Sequence, residues 1–501
     1  MGPAPLHIFN SWSRRLERFE PLEAGRVRMY SCGLTVYSRG HLGNLRAYVV
    51  ADTLRRTLLW EGYDVDHVIN VTDVGHLLAD ADQGKDKVEQ AARRERRSVW
   101  ELTAHYQRLF EEDLRKLDVL PPRVWTKASD YVGRMIDFAR RLEEQGHTYR
   151  LPSGLYFDTS TVADYGVLAT IDHERLEATA RVEPVPGKRH PTDFALWRTR
   201  PPGEPERAME WESPWGLGAP GWHLECSVMS IDQLGPHFDF HTGGVDHREV
   251  HHPNEYAQSS AYLGDAQPWV RYRVHNEFVS FAGEKMSKSK GNVLTLDDVT
   301  RQGLEPLAYR LLLLQSHYRS QVRVRIGAIV AADTFLDRLT GAVGDRLHEL
   351  PPAPPVRRYA DLAGRPYVDA LDEALADDLS TPRAIATLSQ GIHAGLPPDD
   401  LGELLAAGRD LLGLDLRMLA EQRTATATAR IDAMDEDCWR SISTLVADRE
   451  TARRRGDFQT ADALRNRLRD EFAVELVDGP EGTTWSIAAT RDVDVDIGTD
   501  R

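Results

Sequence analysis

The chain has 501 residues, which at roughly 100–200 residues per domain means three or four domains. Its 41% hydrophobic and 28% charged residues exclude disorder throughout and a fibrous repeat, and no run approaches the about 18 apolar residues of a membrane span. A net charge of −16 excludes a uniformly basic protein that wraps nucleic acid nonspecifically, and leaves only a local basic patch for such a partner. The first twenty residues have no apolar signal core, so secretion is not expected. Three cysteines cannot build a disulfide framework and point to a reducing cytoplasm, where thiols serve as ligands or nucleophiles. Of 62 basic residues only 8 are lysine, yet Lys285, Lys288 and Lys290 fall within six residues of each other.

In chain order, Arg26-Val27-Arg28-Met29-Tyr30-Ser31 alternates as a strand does, and a loop from Cys32 to Tyr37 follows. From Asn44 to Gly62 the apolar positions Leu45, Val49, Leu54 and Leu58 fit a helix, with Gly62 at its C-terminal cap. A second strand runs from Val65 to Val71. Strand, helix, strand is a βαβ unit, so a parallel sheet is expected. Residues 74–97 are polar and mixed in charge and read as a surface insertion. Helical spacing resumes from Trp100 to Leu117 and from Met135 to Leu142. Residues 151–207 are turn-rich, as an inserted subdomain would be. Strands return before Gly243-Gly244 and near Val274 to Phe281. Pro351-Pro352-Ala353-Pro354-Pro355 reads as a stiff joint. Helical patterning from Tyr359 to Ala420 gives way to Thr424-Ala425-Thr426-Ala427-Thr428-Ala429, which reads as a second linker before a small module from Ile431 to Ile487.

Three constellations carry chemistry. His41-Leu42-Gly43-Asn44 lies between a strand and a helix, where a glycine lets phosphate approach the backbone amides and the positive helix end. By itself it reads first as an ordinary helix start. Lys285-Met286-Ser287-Lys288-Ser289 places two lysines three apart among small hydroxyl residues, suited to stabilising charge on a triphosphate. The third is a set of potential metal ligands. His251 and Glu255 are four apart, hence on one face of a helix. Cys226 lies 25 residues before His251, and Cys32 sits at a strand end, where open α/β sheets place their ligands. Two thiolates, an imidazole and a carboxylate suit zinc. Taken singly, each cysteine is as readily a small core hydrophobe, and His-x-x-x-Glu a helix face. Cys438 has no partner and reads as a buried structural thiol.

With these residues in view the chain resembles the class I aminoacyl-tRNA synthetases and, within them, the cysteinyl-tRNA synthetase family. His41-Leu42-Gly43-Asn44 resembles the HIGH signature, and Lys285 to Ser289 matches the KMSKS loop letter for letter. Met29 to Tyr37 resembles the family's opening strand and loop. Gly221-Trp222-His223-Leu224-Glu225-Cys226-Ser227 and the stretch from Thr242-Gly243-Gly244-Val245-Asp246 through His251-His252-Pro253-Asn254-Glu255 resemble its central block.

The resemblance implies an α/β fold with a Rossmann-like parallel-sheet catalytic domain. Its halves would cover 1–118 and 221–325, around an inserted connective subdomain at 119–220. A helical bundle at 326–423, a small anticodon-binding module at 430–488 and an acidic tail at 489–501 would follow. It implies ATP-dependent activation of L-cysteine and its transfer to the 3′ end of tRNA(Cys). One zinc ion per chain would be held by Cys32, Cys226, His251 and Glu255, and would select the substrate thiol. Gly33, Thr35, Thr72 and Trp222 would line the cysteine pocket. His41, Gly43, Gly243, Gly244, Asp246 and Lys288 would meet ATP, which carries Mg²⁺, and His41, Asn44, Lys285 and Lys288 would be catalytic. The protein is expected to be cytoplasmic, monomeric and without a membrane partner. Arg453, Arg454 and Arg455 would add positive charge to the terminal module, or else form a solvated helix face.

Asn44 stands where the family signature usually ends in histidine; its amide can donate to phosphate but carries no charge. Two other readings remain from sequence: a ligase that transfers activated cysteine to a small amine, as in mycothiol biosynthesis, and an inactive RNA-binding paralogue. The terminal module weighs against the first, and the intact lysine loop and ligand set against the second.

Overall fold

The computed structural model describes residues 2–74, 87–169, 185–200, 206–265, 267–281, 284–285, 293–479 and 482–487. At its centre is a parallel sheet of five strands in the spatial order Val270–Asn276, Phe238–Gly244, Arg26–Ser31, Asp64–Val71, Val124–Lys127. The alternating segment at 26–31 is a strand, as its pattern predicts, and the sheet order places it at the centre. The helix that follows spans Leu42–Trp60, and Gly62, at φ +99°, turns the chain into the next strand. Buried Leu42, Leu45 and Val49 pack toward the helices beyond the sheet, whereas Leu54 and Leu58 pack on Val27, Met29 and Val65 beneath it.

Chain connectivity reverses between the two neighbours Arg26–Ser31 and Phe238–Gly244. The first continues to Asp64–Val71 on one side, and the second to Val270–Asn276 on the other. Open α/β sheets bind ligands at the carboxyl ends of strands at such a switch point. Between the two halves an antiparallel sheet of Thr148–Leu151, Gly154–Phe157, Phe194–Thr199 and Gly218–Pro220 is inserted. It leads straight into the helix Trp222–Leu234. A third sheet pairs Val279–Phe281 with Val322–Val324 and with the short strand Glu284–Lys285.

From Ile326 to Asp432 the fold is helical. Ile326–Gly344, Pro366–Ala376, Thr381–His393, Pro398–Leu412 and the start of Leu416–Asp432 share one apolar core with the helix Leu42–Trp60. The last described elements are a helix pair, Glu436–Arg454 and Phe458–Phe472, and a hairpin of Val474–Gly479 with Gly482–Ile487. No described helix is long and apolar enough to cross a membrane.

Three local expectations are corrected. The Thr/Ala stretch at 424–429 is no linker: the helix Leu416–Asp432 runs through it. Alanine favours helix, and the hydroxyls of Thr424, Thr426 and Thr428 each donate to the carbonyl four residues back. Within 74–97, residues 75–86 lie outside the described residues, but Lys87–Glu95 is a helix with a buried face. Its Val88, Ala91 and Ala92 pack on Val99, Leu102 and Met209. Cys438 is half-buried rather than buried; its backbone N–H is capped by Asp435 at a helix start. The proline-rich segment 351–355 forms neither helix nor strand, as expected.

Candidate active site and metal centre

Cys32 is the first residue beyond the central strand, Cys226 lies in the second turn of Trp222–Leu234, and Glu255 lies in the first turn of His252–Leu263. Between Gly244 and that last helix the chain makes a widened π-helical turn, His247–His251, a feature frequent at functional sites. This turn sets His251 above Glu255. The donor atoms of Cys32, Cys226, His251 and Glu255 all lie within 4.8 Å of one another, and all four residues are buried. The two sulfurs are 4.0 Å apart, Cys32 Sγ is 3.8 Å from Glu255 Oε1, and His251 Nε2 is 2.7 Å from the same oxygen.

A second combination shares two members with the first. Cys32, His241, His252 and Glu255 also place their donor atoms within 4.8 Å. His252 Nε2 lies 3.4 Å from Cys32 Sγ, and His241 Nε2 lies 2.8 Å from Glu255 Oε2. Because both sets use Cys32 and Glu255, a single ion can occupy only one. Further imidazoles back the cluster: His223 Nδ1 is 2.9 Å from His251 Nδ1, and His275 Nε2 is 2.8 Å from His252 Nδ1. No local pattern in the sequence marks His241, His252, His223 or His275 as site residues. The signal was composition, since seven of eighteen histidines fall between His223 and His275.

Electrostatics fit a cation. Burial opposes charge on Cys32, yet hydrogen bonding from Cys226 and the imidazoles of His241, His252 and His251 hold it well below an ordinary thiol. Burial and the neighbouring Cys32 push the Cys226 thiol well up. Burial also opposes charge on His251 and His241, but Glu255 and Cys32 raise them to about 10 and about 9. Burial likewise opposes ionisation of Glu255, and the imidazolium of His251 overcomes it, leaving this carboxyl far below its usual range. Cys32 and Glu255, both shifted toward their anionic forms, thus face two imidazoles shifted toward their cationic forms, a cluster that calls for positive charge at its centre.

The residues expected around the substrate converge on this cluster. A Cβ on Gly33 would stand 1.5 Å from the carbonyl oxygen of Asn70, and the Gly33 N–H donates to Asn70 Oδ1 at 2.6 Å. Only glycine lets these two strand ends approach so closely. Thr35 bridges to Thr72 across the same gap. The Thr72 hydroxyl donates to Glu225 Oε2 at 2.9 Å and accepts from Asn70 Nδ2 at 3.3 Å. Burial raises the Glu225 carboxyl to about 8. The Trp222 ring sits 4.3 Å from the His251 ring, centroid to centroid. Gly243 abuts His247 and His252, Gly244 is open around its Cα, and Asp246 leads into the π turn.

His41 is the N-cap of Leu42–Trp60, with Gly43 in the first turn. Its Nδ1 accepts from the Asn44 N–H at 3.2 Å, while Asn44 Oδ1 accepts from the His41 N–H at 3.1 Å. This reciprocal capping box gives the asparagine a structural task at the place where the family carries histidine. It also sets the imidazole tautomer, with Nδ1 an acceptor and the proton on Nε2. Lys285 ends the short strand Glu284–Lys285, opposite Ser280. Lys288 lies outside the described residues. At the far end of the chain, Arg453 is held by Asp478 together with Arg449, whereas Arg454 and Arg455 are exposed.

Comparison with known proteins agrees with this architecture. Residues 18–333 match the family described as tRNA synthetases class I (C) catalytic domain. The chain is 46% identical to the cysteine–tRNA ligase of Novosphingobium aromaticivorans over 97% of its length and 98% of that protein. It is 43% identical to the cysteine–tRNA ligase of Zymomonas mobilis, over 96% and 98%. Among solved structures, Mycobacterium tuberculosis methionyl-tRNA synthetase bound by methionyl-adenylate aligns with TM-score 0.52 at 15% identity, over 79% of this chain and 90% of that one. The ternary complex of Agrobacterium radiobacter K84 agnB2 LeuRS with tRNA and LeuAMS aligns with TM-score 0.55 at 13% identity, over 80% and 86%; at such identities the likeness concerns the fold. A Rossmann-like parallel sheet, a His41 helix start at its switch point and near full-length identity of this order have one reading: the chain belongs to the cysteine–tRNA ligase family of class I aminoacyl-tRNA synthetases.

Proposed function

We propose that this enzyme activates L-cysteine with ATP, transfers it to the 3′ end of tRNA(Cys), and chooses the thiol through zinc held by Cys32, Cys226, His251 and Glu255. The observation that carries the reading is the convergence of those four donor atoms within 4.8 Å. The donor set fits the ion. Two cysteines, an imidazole and a carboxylate are donors that zinc takes, and they would hold it with their donor atoms already within 4.8 Å of one another. Between the two overlapping sets, the one with two thiolates is the softer and the better match to zinc.

When bound, zinc supplies a soft Lewis acid that favours a thiolate over the hydroxyl of serine. That difference answers a physical need. Cysteine and serine differ by one atom, and discrimination of about 10⁴–10⁵-fold requires about 5.5–7 kcal/mol, more than shape alone provides. Gly33, Thr35, Thr72 and Trp222 wall the pocket beside the cluster. Glu225 and Asn70 hold the Thr72 hydroxyl in place.

Activation needs no side-chain nucleophile. The cysteine carboxylate attacks the α-phosphate of ATP, a new C–O–P linkage forms, and the bond to pyrophosphate breaks. The His41 Nε2–H and the positive end of the following helix hold phosphate, and Lys285 and Lys288 stabilise the charge gathering on pyrophosphate. Gly244 and Asp246 meet the adenosine, with Asp246 on the ribose, and Mg²⁺ arrives with ATP. A hydroxyl of the terminal tRNA adenosine then attacks the acyl carbon, and AMP leaves. The two C-terminal helices and their hairpin, the region whose sequence resembles an anticodon-binding module, support tRNA rather than a small amine as acceptor.

Cysteine-dependent ATP–pyrophosphate exchange followed by charging of a tRNA(Cys) transcript tests the reading. Exchange without charging would point to a small-amine acceptor, and absence of both would leave only a binding role.

A further inference from the structure

We propose that Arg46 is a positioning residue for the nucleotide step: it holds the sheet that bears Lys285 at a fixed place relative to the His41 turn. The inference rests on the function proposed above. Arg46 lies one turn into the helix capped by His41 and is 1% exposed. Its guanidinium bonds to backbone carbonyls. Nη1 donates to Glu277 O at 2.8 Å and to Phe278 O at 2.9 Å. Nη2 donates to His317 O and Tyr318 O at 3.2 Å each, and to Ser320 O at 2.6 Å.

These five oxygens belong to two chain segments, and each segment leads into a strand. Glu277 and Phe278 precede Val279–Phe281, and Ser320 precedes Val322–Val324. The two strands pair in parallel, and the first pairs with Glu284–Lys285. One planar, five-donor group therefore grips the entrances of both strands at once, from the same rigid helix that presents His41. Lysine offers three donors on a point charge and cannot span such a fork. Burial lowers the Arg46 guanidinium to about 10, so it remains a cation at neutral pH. The helix start is also tied elsewhere: the Leu42 N–H donates to Leu294 O at 2.7 Å, and Tyr309 Oη donates to Leu42 O at 2.7 Å.

The consequence is kinetic. Lys285 acts on charge that develops at the leaving phosphates, whereas His41 meets the phosphates from the helix start. A displacement of about 1 Å between two such groups costs about 10²-fold in rate. None of the residues expected to wall the cysteine pocket is among Arg46's hydrogen-bond partners.

The test uses the full-length, zinc-loaded protein and its Arg46→Lys variant, with Arg46→Met as a more severe companion. Amide hydrogen exchange of the segment 279–285 is expected to quicken at least about tenfold in Arg46→Lys, with the segments around Cys32 and Cys226 unchanged and zinc content equal to wild type. In cysteine-dependent ATP–pyrophosphate exchange, kcat falls about 10²-fold while KM for cysteine stays within about twofold. Unchanged amide exchange at 279–285, or unchanged kcat, overturns the proposal. So does a loss of kcat accompanied by matching loss of zinc, or failure of both variants to fold, because Arg46 would then be a folding residue only. If wild type shows no cysteine-dependent exchange, the functional reading fails by itself, and the amide-exchange arm still decides whether Arg46 places the strand.

Discussion

The sulfur atoms of Cys32 and Cys226 lie 4.0 Å apart, although 194 residues separate them in the chain. One follows the central strand of the sheet, and the other is delivered by the helix that returns from the inserted subdomain. Replacing Cys226 with serine leaves a hard, reluctantly deprotonated ligand in a soft site. The zinc affinity of Cys226→Ser is expected to fall further than the about 10–100-fold that loss of an outer partner costs. Elemental analysis after dialysis against a chelator checks this.

The two overlapping donor sets make opposite predictions. With the set Cys32, Cys226, His251 and Glu255, His251→Ala loses stoichiometric zinc, whereas His252→Ala keeps it and shows at most a change in activity. Zinc loss in His252→Ala with retention in His251→Ala would assign the ion to Cys32, His241, His252 and Glu255.

Zinc loading should release protons. Without metal, His251 titrates at about 10 and the Cys226 thiol lies well above its ordinary value, so both carry protons at pH 7. Both must be deprotonated to bind metal. Apparent zinc affinity therefore rises with pH from 7 toward about 10. Calorimetric titration in buffers of different ionisation enthalpy would reveal the released protons; a pH-independent affinity would contradict the arrangement.

The capping box separates structure from chemistry at the helix start. Asparagine caps helices well, so His41→Asn keeps the stability of the catalytic half within about 0.5 kcal/mol. It removes the imidazole donor, and cysteine-dependent exchange falls about 10²–10³-fold. Asn44→Ala does the reverse in stability: it loses the reciprocal bond and about 1 kcal/mol. Thermal unfolding and exchange kinetics on the two variants read the two effects.

Gly33→Ala tests the close approach of strand ends. The new methyl would stand 1.5 Å from Asn70 O, so the loop behind Cys32 must move. Both zinc retention and exchange are expected to drop, the latter by about 10²-fold.

How much of this was legible in the sequence depends on range. Alternation placed the strand Arg26–Ser31, and apolar spacing found the helix that spans Leu42–Trp60, because both patterns are local. The His251–Glu255 pair was legible as one helix face, although a π turn rather than a regular helix carries His251. No periodicity can bring Cys32 to Cys226; that pairing came from family resemblance. His241 and His252 were missed because strand and helix neighbours look like core residues until the sheet folds them onto Glu255. The Thr/Ala run at 424–429 misled because its composition resembles a linker, while its hydroxyls satisfy helix carbonyls. Arg46 was invisible because its partners are backbone oxygens, which sequence does not label.

The most direct test compares cysteine and serine in ATP–pyrophosphate exchange, using protein with one zinc per chain and the same protein stripped of metal. The zinc-loaded enzyme should prefer cysteine by at least about 10⁴-fold, and stripping should abolish cysteine activation, with zinc restoring it. Equal activation of serine by the zinc-loaded enzyme, or undiminished preference for cysteine without metal, would contradict the account.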